Sequence, residues 1–272
     1  MQKKYLLLFA FLYATSLLQA QDTITFRSLR LNKTDSVLVF KPAHYDPSHR
    51  YPLVYLLHGY SADYRQWSTT INLQAVCDQY NFIVVCPEGF VSWYLNSPYD
   101  KRSQMEDFFF NELKPRIHQQ YAIDDRNIFI SGLSMGGYGA LRYFLLHDDY
   151  FNTAGSTSGG LRVDYTILRA ASMQFFRNER VTNDLTHLLG EASAWSQYDI
   201  VTLLKAGKGN KRPFIFDCGR EDILYPVHKE LQAVCDSLHI PATAITQPGN
   251  HNTEYWACSI HQHFAYFKKH LR

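Results

Sequence analysis

Two hydrophobic periods divide the chain. Residues 51–57, 82–86, 127–130 and 213–219 are short, nearly continuous apolar runs rich in β-branched and aromatic side chains. Runs of that length read as strands covered on both faces of a sheet. Residues 151–156 and 242–246 read as two more strands. Between them the apolar positions recur at helical spacing. Ile71, Ala75, Val76 and Tyr80 mark a helix over 71–80, and Met105, Phe108, Phe109 and Leu113 mark one over 103–119, where Pro115 is a candidate kink. Ala140, Leu141, Phe144 and Leu145 mark 135–147, and two final helices cover 227–238 and 254–270. Near the start, 23–31 and 35–41 alternate as two strands, with a hairpin turn expected at 33–35.

Strand and helix alternate from residue 51 onward. That order predicts an α/β fold, a mostly parallel central sheet flanked by helices and joined by right-handed crossovers. Residues 162–209 break the alternation, being helical in places with no clear strand. They are expected to form a cap-like insertion over the site. No repeat or linker interrupts the rest, so 21–272 reads as one domain.

The first twenty residues read differently. Lys3-Lys4 precede an apolar run over 5–18, and Ala20 supplies a small residue for cleavage. This is the layout of a signal peptide, and the run is short for a spanning helix. Export to a secreted or periplasmic location follows as an expectation, with the membrane met only in transit. A net charge of +2 over 272 residues gives no electrostatic case for nucleic acid. The five cysteines are scattered without a CxxC pair, and their odd number leaves at least one free thiol. A zinc site or cysteine nucleophile is therefore not expected, while one disulfide stays open. No G-x-G-x-x-G, P-loop, HExxH or EF-hand pattern occurs, so neither metal nor organic cofactor is implied.

The candidate chemistry centres on Gly132-Leu133-Ser134-Met135-Gly136, at the junction of the 127–130 strand and the 135–147 helix. G-x-S-x-G in that context fits a nucleophile elbow. Glycines let strand and helix approach closely, the strained turn lifts the hydroxyl out of the sheet, and the helix N-terminus adds partial positive charge. A serine nucleophile needs a base, and the base an orienting carboxylate. Two later loops, each after a strand, carry them in the right order. Arg220-Glu221-Asp222 offers the acid, with Asp222 preferred over Glu221 and over Asp217, which ends its strand and could instead tie down the turn. Pro248-Gly249-Asn250-His251 offers the base, His251. A surface role is the bland alternative for any histidine here, and His261, His263 and His270 on the last helix read that way. The backbone N–H groups of Met135 and Tyr60 are the candidate oxyanion donors. His58 is expected to pack and hydrogen-bond within its own loop.

These residues resemble the esterase D-like branch of the α/β-hydrolases, a group that includes S-formylglutathione hydrolases, feruloyl and acetyl-xylan esterases, tributyrin-type esterases and the antigen 85 mycolyltransferases. The resemblance covers roughly 30–270. It rests on Leu56-Leu57-His58-Gly59-Tyr60 with Trp67, Pro87-Glu88-Gly89, Ser92-Trp93-Tyr94 with Ser97-Pro98, the elbow through Ala140, Asp217-Cys218-Gly219-x-x-Asp222, and Gly249-x-His251-x-x-x-Tyr255-Trp256. It implies an α/β-hydrolase fold, the triad Ser134, Asp222 and His251, an oxyanion hole at Tyr60 and Met135, and a substrate pocket bordered by Trp93 and Tyr94. Asn252-Thr253 depart from the aromatic or acidic residue usual after the histidine, which touches pocket shape and not the triad. The implied activity is a serine carboxylesterase acting on small-molecule or carbohydrate-linked esters, with feruloyl or acetyl groups on plant polysaccharide suited to export. Acyl transfer of the mycolyltransferase type is the alternative within this chemistry. A non-catalytic carbohydrate binder on the same scaffold would lack a triad member, and none is missing.

Overall fold

The computed structural model describes residues 21–209 and 211–272. The expected signal peptide, 1–20, lies outside them. Among the described residues no helix is long and apolar enough to cross a membrane. Eight strands form one sheet: β1 (Gln21–Ser28), β2 (Lys33–Phe40), β3 (Tyr51–Leu57), β4 (Ile83–Pro87), β5 (Ile123–Gly132), β6 (Thr153–Thr157), β7 (Phe214–Gly219) and β8 (Ala242–Gln247). Their spatial order is β1-β2-β4-β3-β5-β6-β7-β8. β1 pairs antiparallel with β2, β2 pairs antiparallel with β4, and every pairing from β3 onward is parallel. The α/β expectation therefore holds.

The helices are α1 (Gln66–Thr70), α2 (Leu73–Tyr80), α3 (Met105–Phe108), α4 (Lys114–Gln120), α5 (Met135–Leu146), α6 (Tyr165–Phe176), α7 (Arg180–Leu189), α8 (Ile200–Lys205), α9 (Tyr225–Leu238) and α10 (Thr253–Lys269). Both faces of the sheet are covered, as the runs of buried residues in β3 and β4 require. Alternation along β3 divides the core. Leu53, Tyr55 and Leu57 join Phe109 and Tyr143 on one side. Val54 and Leu56 join Trp67, Phe82 and Phe264 on the other. The chain leaves β3 toward β4, then crosses back to β5. The reversal opens a crevice beyond the carboxyl ends of β3 and β5, where open parallel sheets place their ligands.

Two expectations about local structure need correction. The β1–β2 turn lies at residues 29–32, not 33–35. Glu112 accepts the Leu29 and Arg30 N–H groups at 3.1 Å each, and Ser28 Oγ accepts that of Leu31 at 3.0 Å, so these amides are drawn out of the ladder. The helix expected over 103–119 is α3 and α4 joined by a π-helical turn, Phe109–Leu113. Pro115 has no N–H to give the preceding turn. The ladder widens just before it, where the Lys114 N–H reaches the Phe109 carbonyl five residues back. The five cysteines are free thiols, four of them buried.

One buried group works against the fold. Asp35 sits on β2 facing the same side as Val37 and Val39, wholly buried, with neither carboxylate oxygen hydrogen-bonded. Burial, reinforced by the charges of Glu88 and Glu112, pushes its carboxyl up to about 8. A raised folded value means that its contribution to stability is fully present below about pH 4 and is lost as pH rises through 8. The full loss is on the order of 5 kcal/mol. Asp35→Asn should match the native protein's melting temperature near pH 4 and exceed it at pH 9. Thermal melts at both pH values check this, and an equal difference at the two would contradict it.

Candidate active site

Ser134 stands between β5 and α5 with φ 53° and ψ −117°, a conformation that L-residues rarely adopt. Its neighbours show why the turn needs glycine. A Cβ on Gly132 would lie 2.4 Å from the Gly136 backbone, and one on Gly136 would lie 2.3 Å from the Leu57 carbonyl oxygen. Hydrogen bonds hold the turn on either side. The Ser134 N–H donates to the Thr157 carbonyl at 3.0 Å, and the Gly160 N–H donates to the Ser134 carbonyl at 3.2 Å.

His251 lies between the serine and the acid. Its Nε2 is 3.0 Å from Ser134 Oγ, and its Nδ1 is 2.8 Å from Asp222 Oδ2. The other Asp222 oxygen accepts the Leu224 N–H at 2.9 Å. Burial alone would raise the Asp222 carboxyl, but the hydrogen bond and charge of His251, aided by Leu224, hold it below the usual carboxylate range. An ionised Asp222 places the proton on Nδ1 and leaves the Nε2 lone pair facing the serine hydroxyl. Two rings fix the imidazole plane. Phe175 stacks on it with centroids 4.6 Å apart, and Trp256 meets it edge-on at 5.1 Å.

The two rival carboxylates do other work. Glu221 accepts the Gly249 N–H at 2.6 Å, and its own N–H donates to the Gly249 carbonyl at 3.1 Å, so it clips the acid loop to the histidine loop. Gly219 permits that approach, since a Cβ there would lie 2.1 Å from the Gly249 oxygen. Asp217 is buried in β7 and bonded to His263. His263 is thus wholly buried, not the surface histidine expected. Asn252, the departure from the family pattern, caps α10 by accepting the Tyr255 N–H at 3.0 Å.

Tyr60 follows β3 and borders the same crevice. Its phenol donates to Asp184, and its ring packs on Phe176 at 5.5 Å. Met135 opens α5, where helix geometry leaves the first amides without an intrahelical acceptor. Among the described residues, neither the Tyr60 nor the Met135 backbone N–H donates to a protein acceptor. His58 bonds only partly within its own loop: Nδ1 faces the Gly59 carbonyl at 2.8 Å, while Nε2 reaches the end of β4 and the loop after it, 2.7 Å from the Gly89 nitrogen and 3.1 Å from Glu88 Oε1.

A cavity of about 240 Å³ opens beside Ser134 and His251. Trp93 lines it, but Tyr94 does not. Tyr94 instead fills the space that Gly89 and Gly139 leave beside it, and its hydroxyl donates to the His58 carbonyl at 3.1 Å. Consecutive positive φ values, 53° and 56°, send the two rings to different places, which a reading of adjacent aromatics could not foresee. Leu168, Ala171 and Phe175, spaced three and four residues apart on α6, supply much of the apolar wall. That periodicity was the signal for this pocket face, and only its general location was read from the sequence.

A strained serine turn after the central parallel strand, with a histidine between it and a buried carboxylate, defines an α/β-hydrolase. The chain matches the profile of the Esterase family, described as "Putative esterase", over residues 28–272. It belongs to that family and is an ester hydrolase. It is 30% identical over 267 residues to an acetyl esterase of Caldicellulosiruptor saccharolyticus, covering 90% of this chain and 97% of that protein. Among solved structures, a ferulic acid esterase superposes with a TM-score of 0.77 at 22% identity, covering 93% of this chain and 98% of that one. An S-formylglutathione hydrolase from Staphylococcus aureus superposes at 0.78 and 20% identity, covering 92% and 98%.

The elbow's dependence on backbone contact is open to test. Gly136→Ala pushes a methyl into fixed carbonyl oxygens of β3 and its loop, not into a flexible side chain. It should destabilise the protein by about 1–3 kcal/mol in urea unfolding and reduce turnover with it. A variant of native stability and activity would contradict the close packing.

Proposed function

We propose that the protein is an exported serine carboxylesterase working through an acyl-enzyme. The observation that carries this reading is the continuous hydrogen-bonded line from Asp222 through His251 to Ser134. In the mechanism, Ser134 Oγ attacks the ester carbonyl while His251 Nε2 takes its proton. The carbonyl oxygen becomes an oxyanion facing the Tyr60 and Met135 N–H groups. Asp222 stabilises the imidazolium and keeps its orientation. Collapse of the tetrahedral intermediate breaks the bond to the leaving alcohol, which receives the proton from His251. Water then attacks the acyl-enzyme with the same histidine as base, releasing the acid and restoring the serine.

The cavity supports an aromatic acyl group of the hydroxycinnamoyl kind. An apolar cavity of about 150 Å³ is enough to hold benzene. The space beside Ser134, about 240 Å³, leaves room for a ring plus a short arm. Trp93, Phe175 and Leu168 give it apolar walls, and the helices of 162–209 act as the cap that shapes it. The basic pair and apolar run at 3–18 support export, which suits esters on extracellular polysaccharide.

Hydrolysis of p-nitrophenyl acetate, butyrate and octanoate beside methyl ferulate tests the reading. Ser134→Ala should lower kcat by roughly 10⁴-fold or more on every substrate that the native protein turns over. A folded native protein inert toward all four would contradict it. The acyl assignment has its own test. Ala171→Phe should remove most methyl ferulate turnover by filling the cavity while sparing the acetate. Equal losses on both would place the aromatic group elsewhere.

A further inference from the structure

Beneath the elbow lies a second serine–histidine–aspartate array. Ser131 Oγ is 2.7 Å from His263 Nδ1, and His263 Nε2 is 2.6 Å from Asp217 Oδ2. Ser131 and His263 are wholly buried and Asp217 is 2% exposed, so this serine cannot meet a substrate. The array joins distant segments. Ser131 is on β5, Asp217 on β7 and His263 on α10, while β6 runs between the two strands. The imidazole crosses β6 at Gly155, where a Cβ would lie 2.3 Å from its Nδ1.

Asp217 extends the connection to the nucleophile. Its second oxygen accepts the Thr157 hydroxyl at 2.7 Å and the Ser259 hydroxyl at 2.6 Å. Its backbone carbonyl accepts the Ser158 N–H at 2.8 Å, and the Thr157 carbonyl in turn accepts the N–H of Ser134. Burial opposes charge on Asp217, but His263, Ser259 and Thr157 hold its carboxyl below the usual range. Hydrogen bonds to an ionised group in a sealed core are short and directional. Each strand that the array joins continues directly into a loop of the active site, β5 into Ser134 and β7 into Asp222. Buried polar groups are often replaceable by apolar ones at little cost in stability. Their value here is geometric.

We infer that Ser131, His263 and Asp217 form a sealed positioning array that fixes the ends of β5 and β7 and so sets the spacing of Ser134, His251 and Asp222. The inference rests on the triad reading above. A small misplacement of a nucleophile costs about 10²-fold in rate. A positioning role therefore appears in kcat, and a purely structural role appears only in the melting temperature.

The test compares native protein with His263→Leu, His263→Gln, Asp217→Asn and Ser131→Ala, by kcat and KM on p-nitrophenyl acetate per folded molecule and by crystal structures. His263→Leu and Asp217→Asn should lose about 10- to 100-fold in kcat with KM nearly unchanged. His263→Gln, which keeps polar atoms at both ends, should recover part of the loss. The Ser134 Oγ to His251 Nε2 separation should lengthen from 3.0 Å in step with the loss. Ser131→Ala removes one hydroxyl and keeps the test alive if the larger changes prevent folding. Folded variants with lowered melting temperature, native kcat and native separation would overturn the inference. An inert native protein would instead defeat the esterase reading, and the crystallographic separation would still decide the positioning role.

Discussion

The backbone of Ser134 is held where an L-residue resists being held. A residue in such a conformation costs about 1–3 kcal/mol and persists only when its surroundings over-determine it. Here they do so through backbone-to-backbone contact. Gly132 lies on Gly136, Gly136 lies on the end of β3, and the Thr157 carbonyl of β6 holds the serine N–H. The strain therefore depends on three parallel strands lying side by side in the order β3-β5-β6. That order also places Tyr60 at the end of β3 beside the serine. The sheet topology and the orientation of one hydroxyl are parts of the same constraint.

The histidine side is built with different physics. His251 arrives on a loop whose backbone is clipped to the acid loop through Gly219, Gly249 and Glu221. Its ring is then held by the faces and edges of Phe175 and Trp256. Phe175 belongs to α6 and Phe176 to the same helix end, where it packs on Tyr60. One helix terminus thus touches both the histidine and the residue proposed for the oxyanion hole. The segment that walls the cavity also braces the groups beside it, so changes of pocket and of reactivity in this family member are physically coupled.

Much of this is legible in the sequence. The buried strands, the elbow and the order of serine, aspartate and histidine follow from short apolar runs and from glycines, whose causes are local. What escaped was non-local. The β1–β2 turn is displaced by Glu112, 82 and 83 residues along the chain from the amides it accepts. Tyr94 is sent into the core by two left-handed residues that no hydropathy pattern marks. His263 reads as a surface histidine by its polarity, although Ile260, Phe264 and Phe267 share its helical face and all are buried. The period was there. What polarity concealed was that Ser131, Asp217 and a glycine in β6 converge on that one position.

The central claim is that Ser134 is the nucleophile, activated by His251. Covalent capture reads it directly: treat the native protein with a fluorophosphonate and locate the adduct by peptide mass spectrometry. A single adduct on the peptide containing Ser134, absent in Ser134→Ala and strongly slowed in His251→Ala, is the predicted result. A folded native protein that is not labelled at Ser134, or that is labelled equally fast without His251, would contradict the account.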